Sequence, residues 1–242
     1  MNLKVFYHIV DLPGWKDITD EQLSDMKVSG LLDIAEVYIN CNYNESSFDS
    51  LREEWKDYSN IKWIFQNNLK EDFEHPTWLL FQDAANTSET EFYGLYLHQK
   101  GITHRGTHRA IPTKHWRWVM NYWNIIKWRD CIAKLEEGYD AVGCLLHPIF
   151  VPPIFMGSFH WTRSSFVKKS KQLVLPSTIG YASQHIPNHP LYRCDIEGWH
   201  SWNNAKMGTV YNVSGEWYNH DFYNQEFPPI KEIYEGIYGK NN

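Results

Sequence analysis

The first 150 residues alternate between two hydrophobic periodicities, and this alternation constrains the fold more than any other feature. Short runs of β-branched and aromatic residues, bounded by turn residues, predict strands. Segments with apolar residues three or four positions apart lie between them and predict helices. A β-α-β-α-β-α-β order is typical of an α/β fold with a mostly parallel sheet and helices on both faces. The predicted strands are residues 4–10, 34–40, 61–65, 92–98 and 140–146.

The predicted helices have recognisable start signals. Thr19 can cap the first helix, with Gln22 three residues later, and Ser47 opens the second. Pro76 lies at the start of the third, where its missing N–H costs nothing. The longest helical segment is predicted at residues 113–137, where two apolar stripes indicate a helix buried over much of its circumference.

The second half of the chain has a weaker pattern. Beyond Pro152 and Pro153 the periodicity fades and turn residues dominate, so we expect loops and short helices laid over a sheet edge. No internal repeat or linker is visible. The sequence therefore predicts one domain over residues 1–242 with a loop-rich C-terminal half.

Composition excludes several classes of partner. The net charge is −6, which argues against a generic nucleic-acid or membrane-surface partner. No apolar run approaches the ~20 residues of a transmembrane segment, and residues 1–10 do not form a secretory signal, so a cytoplasmic location is expected. The four cysteines have no zinc-site spacing, which favours buried, reduced thiols. The 12 Trp, 15 Tyr and 12 Phe fit either a well-filled core or stacking platforms for ligands.

Several common motifs are absent from the sequence. There is no GxGxxG after the first strand, no P-loop, no GxSxG elbow and no HExxH. His104 and His108 are four residues apart, but they lie in a glycine-containing loop without a carboxylate partner. A basic loop near anionic groups is favoured there over a two-histidine metal site.

In open α/β sheets, ligands bind outside the carboxyl ends of the strands. His8, Asn40 and His98 lie at or near such ends, and Lys100 follows His98 closely. A strand that ends in His-x-Lys-Gly places an imidazole and an ammonium where both can meet a phosphate, while the glycine allows close backbone approach. The alternative is a strand that simply leaves the core through polar residues.

Seven motifs together resemble a group of microbial and viral glycosyltransferase-like proteins of GT-A type. The resemblance extends from residue 3 to about residue 202, and it depends on the order and spacing of the motifs. They are Glu-His-Pro-Thr at 74–77, His-Gln-Lys-Gly at 98–101, Trp-Arg at 116–117, Met-x-Tyr-Trp at 120–123, Gly-Tyr-Asp-x-x-Gly at 138–143, Gly-Ser-Phe-His-Trp at 157–161 and Glu-Gly-Trp at 197–199.

The resemblance implies a nucleotide-sugar fold in which His98-Gln99-Lys100 takes the place of the usual Asp-x-Asp metal clamp. Lys100, with His98 or Arg117, can neutralise leaving-group charge directly. Such a site can work without a metal, although Mn²⁺ or Mg²⁺ stays open as a cofactor. The chain departs from the family pattern at Gln99, where Thr is expected, and at His160, a change that could alter the acceptor.

The resemblance also implies roles for individual residues. Residues 1 to about 110 form the nucleotide-sugar half, and residues 111–242 the acceptor and catalytic half. Glu197 is the candidate general base and Asp195 the second choice; the alternative for both is a carboxylate at a helix N-terminus. The expected donor-binding residues are His8, Asn40, Glu74, Thr77, His98, Lys100 and Arg117. The expected acceptor-binding residues are Ser158, His160, Trp161 and Trp199, and each tryptophan alone is as readily explained by core packing.

The leading hypothesis is a glycosyltransferase of glycan biosynthesis. It would move a sugar from a nucleotide-diphosphate-sugar donor to a hydroxyl of a glycan or other carrier, and inversion is expected because one base and no neighbouring nucleophile are visible. A non-catalytic carbohydrate-binding protein on the same fold is the main alternative. A metal-dependent hydrolase that uses His98, His104, His108 and acidic neighbours is a third hypothesis.

Overall fold

The computed structural model describes most of the chain. The described residues are 1–42, 45–66, 72, 74–147, 153–173, 199–200, 203–212, 221–225, 230, 233–234 and 236. Asp195 and Glu197, the two predicted catalytic carboxylates, lie outside these residues.

The described residues form strands and helices in the following bounds. The strands are β1 (Leu3–Val10), β2 (Ala35–Asn42), β3 (Ile61–Gln66), β4 (Tyr93–His98), β5 (Ala141–Cys144), β6 (Leu146–His147), β7 (Ile154–Phe155), β8 (His160–Arg163) and β9 (Met207–Tyr211). The helices are α1 (Trp15–Val28), α2 (Asp49–Glu54), α3 (His75–Thr87), α4 (Ala110–Asn121), α5 (Trp128–Glu136) and α6 (Ser164–Lys169). Two 3₁₀ turns (Glu45–Phe48 and Ile102–His104) and a π-helical segment (Tyr122–Ile126) complete them.

Seven of the strands form one sheet in the order β3-β2-β1-β4-β8-β5-β9. Strand β1 pairs in parallel with β2 and β4, and β2 pairs in parallel with β3. Strand β8 is antiparallel to both of its neighbours, β4 and β5, whereas β9 is parallel to β5. The predicted α/β class with a mostly parallel sheet is confirmed.

The expectation for the C-terminal half is wrong in one respect. That half was expected to lie over a sheet edge, but β8 lies inside the sheet and β9 extends it. Strand β8 is only four residues long, His-Trp-Thr-Arg, and is buried along most of its length. So short a run, with a single large apolar side chain, does not show a recognisable strand pattern.

The two faces of the sheet carry separate cores. Odd-numbered residues of β1 such as Tyr7 belong to a large core that includes residues of α1, α4 and α5. Even-numbered residues such as Phe6 belong to a smaller aromatic core with residues of α3 and α6. This second core, which we call the α3 core, comprises Phe6, Trp78, Phe81, Ala85, Phe92, Tyr96, Val167 and Trp199.

Two of the three predicted helix starts are wrong, and the third is confirmed. Helix α1 begins at Trp15 after Gly14 in the left-handed conformation; Thr19 lies inside it and donates to Trp15 O at 2.9 Å. The second helix is entered through a 3₁₀ turn that contains Ser47, so α2 starts two residues later. Pro76 is the second residue of α3, as predicted.

The long helix predicted at residues 113–137 is interrupted. Asn124, in the π-helical segment between α4 and α5, is fully buried and donates from Nδ2 to Met120 O at 2.9 Å. Its own carbonyl accepts a hydrogen bond from Trp161 Nε1 at 2.9 Å. Side-chain and backbone bonds of this kind redirect the helical ladder, and they depend on a partner that is distant in sequence.

Two further findings concern the cysteines and the membrane. Cys41, Cys131 and Cys144 are buried thiols, as predicted, while Cys194 lies outside the described residues. No helix in the described part of the chain is long and apolar enough to cross a membrane.

Candidate functional site

Three predicted donor-binding residues lie in one row across the sheet. His8 of β1 is in register with Asn40 of β2 and with His98 of β4. Side chains in register on neighbouring parallel strands point to the same face. The row lies on the face of the α3 core, near the carboxyl ends of all three strands.

Thr77 of α3 joins two members of this row. Its Oγ1 lies 2.9 Å from His8 Nδ1 and accepts a hydrogen bond from Asn40 Nδ2 at 2.9 Å. Asn40 Nδ2 also donates to Gln66 Oε1 at 3.1 Å. We call His8, Asn40, Gln66 and Thr77 the Thr77 network. Glu74 precedes α3, and its carbonyl accepts from Thr77 N at 3.1 Å.

The Thr77 network is neutral. Burial, together with the nearby His75, lowers the pKa of His8 to about 3. Burial also lowers the pKa of His75 to about 4, although Asp72 opposes this shift. Both imidazoles are therefore uncharged near neutral pH and can only exchange hydrogen bonds. One further atom is available, because Asn40 Oδ1 is buried and has no hydrogen-bond partner among the described residues.

The turn after β4 carries the positive charge of the site. Lys100 N donates to His98 O at 2.9 Å, which turns the chain directly after the strand. Gly101 follows with φ of +89°, and a Cβ there would lie 3.0 Å from Thr113 Oγ1, so the position needs glycine. The Lys100 ammonium lies 3.7 Å from the centre of the Trp116 ring.

Arg117 of α4 forms hydrogen bonds that link this turn to Glu21 of α1. Its Nε and Nη2 donate to the two carboxylate oxygens of Glu21 at 2.8 and 3.1 Å, and its Nη1 donates to Lys100 O at 2.8 Å. The guanidinium is buried and its charge is paired. These contacts make Arg117 a residue that positions Lys100, whereas its direct contact with a donor stays a prediction.

Gln99 occupies the position at which the resembled group has Thr, and its contacts show what the longer side chain does. Its Oε1 accepts from Val10 N at 2.8 Å, and its Nε2 donates to Trp15 O at 2.9 Å and to Thr19 Oγ1 at 2.8 Å. The amide therefore joins the ends of β1 and β4 to the start of α1. Because these hydrogen bonds are all to other residues of the protein, Gln99 has a structural role.

The four predicted acceptor-binding residues are buried and are divided between the two faces. Trp161 is fully buried in the large core, and Trp199 belongs to the α3 core, where its Nε1 donates to Lys171 O at 3.3 Å. Core packing therefore describes both tryptophans, and they do not form an open platform for a sugar. Residues 157–161 nevertheless reach the site, because Phe159 contacts His98 edge-on at 5.1 Å between ring centres.

Ser158 and His160 differ from these tryptophans in their unused polar atoms. Ser158 has φ of +67°, which is uncommon for a residue other than glycine, and its buried hydroxyl has no partner among the described residues. His160 stacks between Trp78 and Phe155, with ring centres 5.4 and 5.2 Å away. Burial lowers its pKa to about 3. Both remain predicted acceptor-binding residues.

The basic loop that follows the turn is tied to other elements. Arg105 forms an ion pair with Asp17 at 2.7 Å, and His108 Nε2 lies 3.2 Å from Asn224 Oδ1. Within the described ranges, no three His, Cys, Asp or Glu side chains lie close enough together to hold a metal ion. The His98, His104 and His108 set of the hydrolase hypothesis is therefore not assembled as a metal site.

Two residues of the site were not singled out for a role in binding. Trp116 lies under the Lys100 ammonium, and the centre of the Tyr223 ring lies 5.6 Å from the same ammonium. Trp116 stands in a buried stripe of the helical pattern, which is indistinguishable from core packing. Tyr223 gives no signal at all, since nothing in its local sequence places it near Lys100.

Comparison with known proteins identifies solved structures only. No family model and no curated protein matches the chain. Staphylococcus aureus TarS aligns at 10% identity over 90% of this chain and 38% of its own, with a TM-score of 0.49. TarS 1–349 in complex with UDP-GlcNAc aligns at 12% over 91% of this chain and 61% of its own, with a TM-score of 0.45. HddC from Yersinia pseudotuberculosis aligns at 7% over 88% of this chain and 91% of its own, with a TM-score of 0.42.

The chain thus spans 38% and 61% of the two TarS chains. Because all three identities are at most 12% and all three TM-scores are below 0.5, function has to be argued from the residues of this chain.

Proposed function

We propose that this chain is a glycosyltransferase that moves a sugar from a nucleotide-diphosphate-sugar donor to a hydroxyl of a glycan or other carrier. The observation that carries the proposal is the pairing of two unlike features at one edge of the sheet. A cation, Lys100, stands just beyond β4, and the neutral Thr77 network lies on the neighbouring strands β1 and β2. The ordered motifs that resemble the glycosyltransferase-like group support it.

Lys100 suits the diphosphate of such a donor. Negative charge grows on the leaving diphosphate as the glycosidic bond breaks, and a fixed cation beside it stabilises that charge. Arg117 cannot contribute a free charge while it is paired with Glu21. Its hydrogen bond to Lys100 O instead holds the turn in place, so that little reorganisation is needed when the donor binds.

The Thr77 network suits the uncharged parts of the donor. A nucleoside or sugar presents N–H and O–H groups, and Asn40 Oδ1 is a buried acceptor with no partner in the described part of the chain. Leaving such an atom unpaired costs free energy that a ligand donor recovers. His8, neutral because burial lowers its pKa to about 3, adds an imidazole without repelling or attracting charge.

A divalent cation held by Asp-x-Asp is the usual partner of a donor diphosphate in GT-A folds, and the resemblance implies that His98-Gln99-Lys100 takes the place of that clamp here. Among the described residues, no three His, Cys, Asp or Glu side chains come together, so a metal site held entirely by these residues is not seen there. We derive no step through a metal. Lys100 and His98 are proposed to contact the diphosphate directly.

The acceptor hydroxyl needs a general base in an inverting transfer. Glu197 is our first candidate and Asp195 the second, both carried from the resemblance, and the test of each is substitution. Glu197→Gln should abolish sugar transfer and leave donor binding intact. Loss of transfer in Asp195→Asn alone would instead assign the base to Asp195.

The donor proposal is tested by a thermal-shift panel of UDP-, GDP-, dTDP- and CMP-linked sugars, each with Mn²⁺ and with EDTA. We expect one nucleotide class to raise the melting temperature, with and without EDTA, and Lys100→Ala to remove the shift. Lys114→Ala is the matched control, since the Lys114 ammonium also lies over a tryptophan of α4, Trp118, at 4.4 Å.

The other outcomes separate the alternatives. A flat panel for the unmodified protein would refute the donor proposal. If a glycan then raised the melting temperature equally in the unmodified protein and in Lys100→Ala, the chain would be a carbohydrate-binding protein. A shift that requires Mn²⁺ would keep the transferase but contradict the metal-free role of Lys100.

A further inference from the structure

The Lys100 ammonium lies in a corner formed by two aromatic rings. Its Nζ is 3.7 Å from the centre of the Trp116 ring and 5.6 Å from the centre of the Tyr223 ring. The two rings stand at 90° to each other, with centres 5.1 Å apart. Aromatic faces attract cations through their quadrupoles, so both rings favour the ammonium at this point.

Tyr223 is held firmly although it is distant in sequence. The preceding residue, Phe222, is buried and stacks on Trp116 with ring centres 5.1 Å apart. Tyr223 N donates to Asp221 Oδ1 at 3.0 Å, and Asn224 Nδ2 donates to Asp221 Oδ2 at 2.6 Å. The ring therefore belongs to a short segment with its own internal bonds, fixed to α4 by Phe222.

Other basic side chains surround the same ring. The Arg109 guanidinium lies 5.5 Å from the centre of the Tyr223 ring, and the His104 ring contacts it edge-on at 5.5 Å. Lys100 and Arg109 thus lie near the same ring, and its quadrupole attracts each of these cations. An aliphatic residue at this position does not supply that attraction.

We propose that Tyr223 is a positioning residue for Lys100: together with Trp116 it holds the ammonium at the carboxyl end of β4 before a ligand arrives. The inference rests on the proposed function for the identity of the ligand, a nucleoside diphosphate. A lysine side chain loses much rotamer freedom when it binds, and an ammonium that is already held loses less. Removing the ring should therefore weaken diphosphate binding without removing the charge.

The position of Lys100 is tested without any ligand, by trace acetylation of the folded protein and mass spectrometry of each lysine. Tyr223→Leu removes the π face and keeps bulk, so we expect Lys100 to react several-fold faster. Tyr223→Phe keeps the face and should react as the unmodified protein does. The matched control is Tyr139→Leu, because Tyr139 faces the ammonium of Lys206 at 4.5 Å, far from β4 in sequence; it should change Lys206 and leave Lys100 unaltered.

The consequence for binding is tested by calorimetric titration with UDP, GDP and dTDP. For the diphosphate that binds, Tyr223→Leu should raise Kd about fivefold, while Tyr223→Phe restores it. Equal Lys100 acetylation rates in the unmodified protein and Tyr223→Leu would overturn the inference. So would an unchanged Kd. If no diphosphate binds the unmodified protein, the proposed function fails by itself, and the acetylation rates alone decide whether Tyr223 positions Lys100.

Discussion

The two faces of the sheet bury polar groups of different kinds. On the face of the large core, a charged set of residues is hydrogen-bonded to itself. Arg117 pairs with Glu21, and Asn121 Nδ2 donates to Asp25 Oδ2 at 3.0 Å and to Glu21 Oε1 at 3.3 Å. Tyr234 OH also donates to Asp25 Oδ2 at 3.1 Å. We call Glu21, Asp25, Arg117, Asn121 and Tyr234 the Glu21 network.

On the face of the α3 core the buried polar groups are neutral, and several have no partner in the described ranges. His200 Nε2 lies 2.9 Å from Thr162 Oγ1, but its Nδ1 is unpaired. The remaining unpaired atoms on this face include Asn40 Oδ1, Trp78 Nε1 and both ring nitrogens of His160. On the charged face, Asp25 Oδ1, Trp116 Nε1 and Asn124 Oδ1 are comparable exceptions in the described part of the chain.

The two kinds of buried polar group have different consequences for stability and for ligand binding. Charges that are buried and paired fix α1 against α4 and leave little for a ligand to use. Neutral groups with unused hydrogen-bonding capacity cost stability in the empty protein, and that cost is recovered when a ligand supplies partners. The following predictions break or sharpen this contrast.

The largest effect is expected from breaking the Glu21 network. Arg117→Met leaves the Glu21 carboxylate in a mostly buried position beside Asp25 without its cation, and the free energy of unfolding should fall by about 3 kcal/mol. Urea unfolding followed by circular dichroism measures this loss. Arg163→Met is the control, since Arg163 pairs with Glu91 at a more exposed site and should cost less than about 1 kcal/mol. Equal losses of unfolding free energy in Arg117→Met and Arg163→Met would show that the Glu21 network adds no more stability than an exposed ion pair.

The second prediction concerns pH. Burial lowers the pKa of His160 to about 3, so below pH ~6.5 the unfolded chain takes up a proton that the folded protein refuses. His160 therefore favours folding fully above pH ~6.5, and this contribution is lost as the pH falls toward 3. Between pH 7 and pH 5 the loss is about 2 kcal/mol, and His160→Phe should remove it. Unfolding curves at the two pH values test this.

Asp25 should behave in the opposite sense. Burial and the neighbouring Glu21 raise the pKa of Asp25 well above its usual value, against the hydrogen bonds from Tyr234 and Asn121 and the charge of Arg117. The folded protein then keeps a proton that the unfolded chain releases, so this contribution to stability decreases as the pH rises through that range. Asp25→Asn should make stability less dependent on pH from about pH 4 upward. If His160→Phe and Asp25→Asn changed the pH dependence of stability in the same direction, the contrast between the two faces would be contradicted.

A smaller effect compares two buried tryptophans. Trp161 Nε1 donates to Asn124 O at 2.9 Å, whereas Trp78 Nε1 has no partner in the described part of the chain. Replacing either by phenylalanine removes similar volume, but only Trp161→Phe leaves a buried carbonyl unpaired. It should be more destabilising than Trp78→Phe by about 1 kcal/mol in the same unfolding assay. The reverse order would show that the α3 core is the more tightly bonded one.

Local patterns predicted the parallel part of the sheet and the edge at which the proposed donor-binding residues lie. The strand runs and the position of Pro76 were visible, and the rule for parallel sheets placed His8, Asn40 and Lys100 at one edge. The partners of those residues were not visible. Arg117 and Glu21 are 96 positions apart, and no local preference links them.

The burial of β8 was hidden for a different reason. The four residues His-Trp-Thr-Arg are too few to show a strand pattern, and Trp161 fits a ligand platform or a core equally well. The choice between these depends on which strands flank it. That is a property of the complete sheet, which a short window of sequence does not contain.

The place of β8 between β4 and β5 also bears on how the chain is made. As the protein is synthesised from its N-terminus, the parallel strands β1 to β4 can pair early, but β4 then has an open edge until residues 160–163 emerge. Open edges invite pairing with other chains. Until β8 is in place, β5 and β9 also lack their connection to the rest of the sheet. A ribosome-bound chain that stops before residue 160 should therefore aggregate more readily than one that extends past β9.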